Sequence, residues 1–149
     1  MGYTTDFDGE VSIDPPLNAE EISFLRKFNN TRRMAREKGP YYVDGSGMCG
    51  QDRESDITDY NSPPRGQPGL WCQWVPNADG TAIVWDEGEK FYEFVAWIEY
   101  LIQHFLQPWG YVLNGETEWQ GEERDDRGMI VVDNNVVRVK VAKVVFEEV

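Results

Sequence analysis

Apolar and polar positions alternate strictly at the start of the chain. Tyr3, Thr5, Phe7, Val11 and Ile13 fall on one side of an extended backbone; Thr4, Asp6, Asp8, Glu10 and Ser12 fall on the other. A period of two with one wet side predicts a half-buried strand. Pro15 and Pro16 close it, since proline cannot donate to a ladder. The period then changes. Asn18 is a good N-cap with Glu21 at N3, Leu17 and Ile22 stand at the two positions of a hydrophobic staple, and Ile22, Leu25 and Phe28, with Phe24, form an apolar stripe. This spacing predicts a helix that fades near 35–38, before Gly39-Pro40. Arg32, Arg33 and Arg36 would then occupy its late turns, where cations suit the negative end of the helix dipole.

The stretch 44–69 has no period. It holds five Gly and three Pro, and a loop of this length is usually functional or disordered. A hairpin follows: a strand over 70–75 with Trp71 and Trp74, a turn at Pro76-Asn77-Ala78-Asp79-Gly80, and a return strand over 81–85. The clearest signal is a helix over 89–106, where Phe91, Phe94, Val95, Ile98, Leu101, Ile102, Phe105 and Leu106 recur at helical spacing. Asp86, Glu87 and Glu89 would sit at its positive end, and Pro108 and Gly110 end it. Tyr92, Ala96, Trp97 and Tyr100 lie on its other side, so these aromatics either pack under the long loop or form a partner surface. The remainder alternates again: a strand near 111–120, a charged loop over 121–128, and strands over 129–132 and 136–146 around the turn Asp133-Asn134-Asn135.

The order β-α-(loop)-β-β-α-β-β-β predicts one α+β domain spanning 1–149: an antiparallel sheet with two helices packed on one face, a ferredoxin-like β-α-β-β-α-β core plus a C-terminal hairpin. At 149 residues with six Trp, seven Tyr and seven Phe, the chain is long enough for a core without disulfide or metal staples.

Charge narrows the partners. A net charge of −13 opposes general binding to nucleic acid and to anionic membranes. It is unevenly spread: six of the fourteen basic residues lie between Arg26 and Lys38, while 86–126 holds eleven acidic and two basic residues, a local net of −9. Two cysteines, Cys49 and Cys72, form no CxxC; with no apolar leader and no membrane-length apolar run, the expectation is a reducing, cytoplasmic setting.

No GxSxG, P-loop, GxGxxG or HExxH is present. The single histidine, His104, excludes multi-histidine metal sites and is expected at the surface. Glu116 and Glu118 project from one side of a strand, ahead of Glu122, Glu123, Asp125 and Asp126; such carboxylates suit Mg²⁺ or Ca²⁺, though Arg124 and Arg127 dilute them. Asp52-x-Glu54-x-Asp56 begins like an EF-hand loop but has Ile57 where that loop needs Gly. No metal and no cofactor is assigned. The candidate site is 60–74. Tyr60, Asn61, Arg65, Gln67, Trp71, Gln73 and Trp74 combine aromatic planes, a cation and amides on a proline-stiffened segment, suited to a flat polar ligand such as a nucleotide base, or to a peptide. Arg32 and Arg33 would add phosphate contacts if they lie nearby. The competing explanation is that Trp71 or Trp74 is simply core.

Several strings form a recognisable set: Gly2-Tyr3-Thr4-Thr5-Asp6-Phe7, Thr31-Arg32-Arg33-Met34, the run from Gln67 to Pro76, Trp85-Asp86-Glu87-Gly88-Glu89-Lys90-Phe91-Tyr92, Pro108-Trp109-Gly110-Tyr111 and Trp119-Gln120-Gly121-Glu122. Over most of its length the chain resembles a family of short proteins carried by bacteriophages and bacteria, for which no activity is established. The resemblance implies an intracellular accessory protein expressed during phage infection, with a counter-defence role, and carries no functional residues. Three functions follow. The first is a non-enzymatic binding module that sequesters a small nucleotide-like ligand or inhibits a host protein. The second is an acidic nucleic-acid mimic that occupies a DNA-binding enzyme. The third is a metal-dependent enzyme using Glu116 and Glu118, with His104. A homo-oligomer is compatible with each.

Overall fold

The computed structural model describes residues 2–43 and 55–149. Its elements are β1 (Asp6–Asp14), α1 (Ala19–Asn30), β2 (Ala35–Arg36), β3 (Ile57–Asp59), β4 (Trp74–Pro76), β5 (Ala82–Trp85), α2 (Phe94–Leu101) with a π-helical extension (Ile102–Leu106), β6 (Val112–Gln120), β7 (Arg127–Asp133) and β8 (Val136–Val141). Six strands form one antiparallel sheet in the order β4-β5-β1-β6-β7-β8, and β2-β3 form a separate ribbon. This is the expected α+β class.

The alternation read from the sequence decides the faces. Register places Val11 beside Ile83 and Gly115, and Ile13 beside Leu113. Ile130 and Val132 continue that face across β7. All but the glycine are buried, in one apolar cluster with Leu25 and Phe28 of α1 and Trp97, Ile98 and Leu101 of α2. Both helices therefore cover one face, and the opposite face is open. Gly115 has φ +153°, and a Cβ there would meet the Glu10 carbonyl at 2.6 Å, so only glycine permits this approach of β1 and β6.

Local signals account for most boundaries. Asn18 accepts from the Glu21 N–H at 2.8 Å while Glu21 accepts from the Asn18 N–H at 3.2 Å, closing the capping box. Asn134 and Asn135 both take positive φ, as a two-residue turn between twisted strands requires.

Four boundaries differ from expectation. α1 ends at Asn30, not near 35–38. Thr31 turns its hydroxyl back to the Lys27 carbonyl at 2.8 Å, and the chain leaves in extended form because other partners claim its N–H groups. Arg32, Arg33 and Arg36 therefore do not cap the helix dipole; Lys27 occupies the last turn. α2 starts at Phe94, not 89, because Glu87, Lys90 and Glu93 take left-handed backbone and Phe91 is drawn into the core against Phe7 and Trp74. The acidic cluster 86–89 thus lies ahead of the helix, whose first turn holds no acid. β4 is shorter than 70–75 and β8 ends at Val141 rather than 146. Of the aperiodic stretch 44–69, residues 44–54 lie outside the described residues; 57–59 form β3.

Candidate functional site

The segment that leaves α1 organises the long loop. The Arg33 N–H donates to the Leu70 carbonyl at 2.8 Å, Ala35 to Ser62 at 2.9 Å and Glu37 to Asp56 at 2.8 Å. Residues 56–70 are thus tied down by backbone bonds, and a turn closed by the Gln67 N–H on the Pro64 carbonyl sets Gln67 inward. The loop then lies over α2, where Trp97 and Tyr100 wait on the side that a purely amphipathic helix would expose. Both are buried. Of the two explanations for these aromatics, packing beneath the loop is the one the fold realises.

At the centre stands Arg33, 1% exposed. One guanidinium nitrogen, Nη2, donates to the carbonyls of Pro40 at 2.9 Å and Tyr42 at 2.6 Å. The plane lies over the Phe28 ring at 4.1 Å. Nε and Nη1 have no partner among the described residues. Burial strips water from the cation and pulls its pKa down to about 10; Arg36 nearby adds repulsion. No described carboxylate lies within ion-pair distance of it, since Asp56 pairs with Arg36 at 3.5 Å. Two further orphans belong to this neighbourhood: Gln67 Oε1 and Trp97 Nε1. Gln67 donates its amide to the same Pro40 carbonyl at 2.6 Å and to the Tyr100 hydroxyl at 3.0 Å, while Trp97 Nε1 faces Gly69 of the loop. Buried polar groups are almost always paired, and a buried cation without a counter-charge is costly. Three donor atoms and one acceptor are left open in this neighbourhood.

The rim is aromatic. His104 stacks on Tyr100 with centroids 3.9 Å apart and planes 15° from parallel, and its Nδ1 lies 2.7 Å from the Tyr41 hydroxyl. His104 sits in the π-helical stretch, where the Gln107 N–H reaches back five residues to Ile102; such stretches often mark functional sites. Burial raises the Tyr100 pKa above the ordinary phenol value, and its hydroxyl accepts from the Gln67 amide.

The sequence-predicted residues are divided by the fold. Arg32 reaches the Tyr60 carbonyl through Nε at 3.4 Å and Nη2 at 3.3 Å, so these two form an outer pair with the Tyr60 ring exposed. Arg33 and Gln67 form the inner cluster. Arg65 is exposed, the Asn61 backbone N–H donates to the Asp59 carboxylate, and Trp71 is half-buried. Trp74 belongs elsewhere: it is 3% exposed, packs edge-on against Phe7 and Phe91, and spends its indole N–H on the Phe94 carbonyl. Gln73 binds the Glu89 carbonyl and the Trp85 indole. Neither Trp74 nor Gln73 joins the Arg33 cluster. Tyr41 and the Pro40 carbonyl were not legible as site elements, because only the bend after α1 brings 40–42 against Arg33.

The enzyme candidates are not brought together. His104 lies in the helical layer, whereas Glu116 and Glu118 lie on the open sheet face, opposite Glu10 and Asp8. Among the described residues no group of three or more His, Cys, Asp or Glu is placed to hold a metal; Asp52, Glu54 and Cys49 lie outside them. Cys72 is buried, with its thiol pushed up to about 12 by desolvation. No helix among the described residues is long and apolar enough to cross a membrane. Comparisons with protein-family models, with curated proteins and with solved structures found no match to this chain.

Proposed function

We propose that this protein is a non-enzymatic binding module that captures a small anionic, nucleotide-like ligand at the Arg33 cluster, as an accessory protein of phage type acting in the cytoplasm. The observation that carries the reading is the buried guanidinium with two nitrogens unpartnered and no counter-charge among the described residues, in the same neighbourhood as the open acceptor of Gln67 and the open donor of Trp97. An oxyanion of phosphate type satisfies the donors through charge-assisted bonds, which are about twice as strong as neutral ones. The Gln67 carbonyl oxygen and the Tyr41, Tyr100 and His104 rings supply an acceptor and flat surfaces for the rest of the ligand. Arg32 and the exposed Tyr60 ring mark an outer approach.

The test is thermal unfolding with nucleotides, cyclic nucleotides and nicotinamide-derived compounds. Capture raises the midpoint for one member of the panel, and Arg33→Met, verified as folded by circular dichroism, loses that rise. A flat panel makes inhibition of a host protein the better reading.

A second reading rests on the open sheet face. Asp8 stands directly opposite Glu118, and Glu10 opposite Glu116. Like charges paired across strands are destabilising, so an arrangement retained at that cost favours the nucleic-acid mimic. Its partner would be a basic groove, and the complex would dissociate near ~1 M salt, where the Debye length falls to about 3 Å.

A further inference from the structure

The two edges of the main sheet are treated very differently. At one edge, β4 is three residues long, ends in Pro76, and has the Pro76 carbonyl occupied by Arg26 Nη2 at 3.2 Å. That edge is short and partly satisfied, as edges in monomeric proteins usually are. At the other edge, β8 is six residues long and reads Val-Val-Arg-Val-Lys-Val. The Ala142 N–H still donates to the Arg127 carbonyl at 3.0 Å, so the ladder runs one residue past the strand. Antiparallel pairing alternates inward and outward backbone groups. With Ala142 turned inward, the N–H and C=O groups of Val137, Val139 and Val141 face outward, unpaired by β7.

The residues beyond this ladder are apolar and bare. Val144 is 82% exposed, Val145 74% and Phe146 95%, and Val149 is fully exposed. Charge brackets them: Lys143 precedes the run, and Glu147 and Glu148 separate Phe146 from Val149. The surface next to them is mainly basic, with Arg124, Arg127 and Lys143 against one acid, Asp125, in a groove of about 760 Å³ on one side and Lys140 standing on β8 itself.

We infer that residues 141–149 pair with the same segment of a second copy of this chain as antiparallel strands, a two-stranded ribbon that continues β8 of each sheet and joins the two. The charges select the occupant and the register. Pairing β8 with β8 of another copy sets Arg138 and Lys140 against themselves or each other, which is unfavourable. Sliding the two-fold axis to Val145 removes that conflict. Lys143 then faces the partner's Glu147, Val144 faces the partner's Phe146, Val141 faces the partner's Val149, and Val145 faces its own copy. Each unlike pair occurs twice by symmetry. The partner's Glu148 falls beside Ala142, which is too small to oppose it, diagonal to Lys140 and in the cross-strand row of Arg127. Apolar meets apolar and lysine meets glutamate at every pair except Ala142 with Glu148. Other axis positions do not achieve both: moved by one residue to Val144, it sets Val141 against the partner's Glu147 and Lys143 against the partner's Val145.

Charge reversal tests the pairing, read by sedimentation equilibrium across a range of concentrations. The wild-type chain is expected to reach twice its monomer mass of 17.2 kDa. Lys143→Glu and Glu147→Lys each set like charges opposite one another twice and weaken the dimer at least tenfold. The double variant Lys143→Glu/Glu147→Lys restores it, and Val145→Lys abolishes it. These positions are exposed, so none of the variants threatens the fold. A wild-type chain that stays monomeric at high micromolar concentration overturns the inference. So does a dimer indifferent to Val145→Lys, or a double variant no tighter than either single one.

Discussion

At the scale of single residues, burial decides which aromatic groups serve the core and which serve the site. Trp74 and Trp71 looked equivalent in the sequence, two aromatics on one short strand beside amides and an arginine. Trp74 lies in an edge-on cluster with Phe7, Phe91 and Phe94. Trp74→Ala is therefore expected to cost about 3–5 kcal/mol of stability, measured by urea unfolding, while the folded fraction keeps its ligand response. Arg33 is the opposite case. Its location after a helix was legible, but its burial was not, because sequence pattern assigns arginine to water. Only the displaced chain path, with Arg33 pinned to Leu70, places the cation inside. Cys72 offers a further check. Its thiol is buried and pushed up to about 12, and the thiolate is the reactive form. Mass-spectrometric mapping at neutral pH should find it unlabelled by a thiol reagent in native protein and labelled once the protein unfolds.

At the scale of elements, strong local signals survived and long-range ones did not appear. The capping box at Asn18, the Asn134-Asn135 turn and the alternation of β1 and β6 are local grammar, and each was readable. The start of α2 was not, since its apolar spacing begins with Phe91, which packs in the core without being helical. The helix instead begins at Phe94, behind the N-cap Glu93, which is held at φ 57° and makes no side-chain capping bond. Left-handed backbone is costly for a residue with a Cβ. Glu93→Gly should therefore raise stability by up to about 1 kcal/mol, as judged by chemical denaturation; a loss would mean that the Glu93 side chain has a role that its geometry does not reveal. The ribbon of β2 and β3 was likewise invisible, because two- and three-residue strands carry no period. This ribbon ties the start of the loop to the segment just after Arg33.

At the scale of the whole molecule, the acidic balance is arranged rather than diffuse. One face of the sheet is closed by both helices. The other carries Asp8, Glu10, Glu116 and Glu118 in directly opposed pairs, with Arg127 on β7 and Arg138 and Lys140 on β8 beside them. Glu10→Gln should stabilise the fold by roughly 0.2–1 kcal/mol, an increment that shrinks as added salt screens the pair. The net charge of −13 was plain in the composition, but its concentration on one open face depends on strand register, which no single segment specifies. The same register leaves the β8 edge free and sets it apart from the helical side, where the Arg33 cluster lies.

The central claim is that the Arg33 cluster takes an anion of nucleotide type, and thermal unfolding tests it most directly. At about a hundredfold excess over Kd, a ligand adds about 2.7 kcal/mol, which at this chain length moves the midpoint by roughly 5–11 °C. The account predicts such a rise for at least one compound in the panel, its loss in Arg33→Met and its persistence in Glu116→Gln. A flat panel, or a rise that Arg33→Met leaves intact, would contradict it.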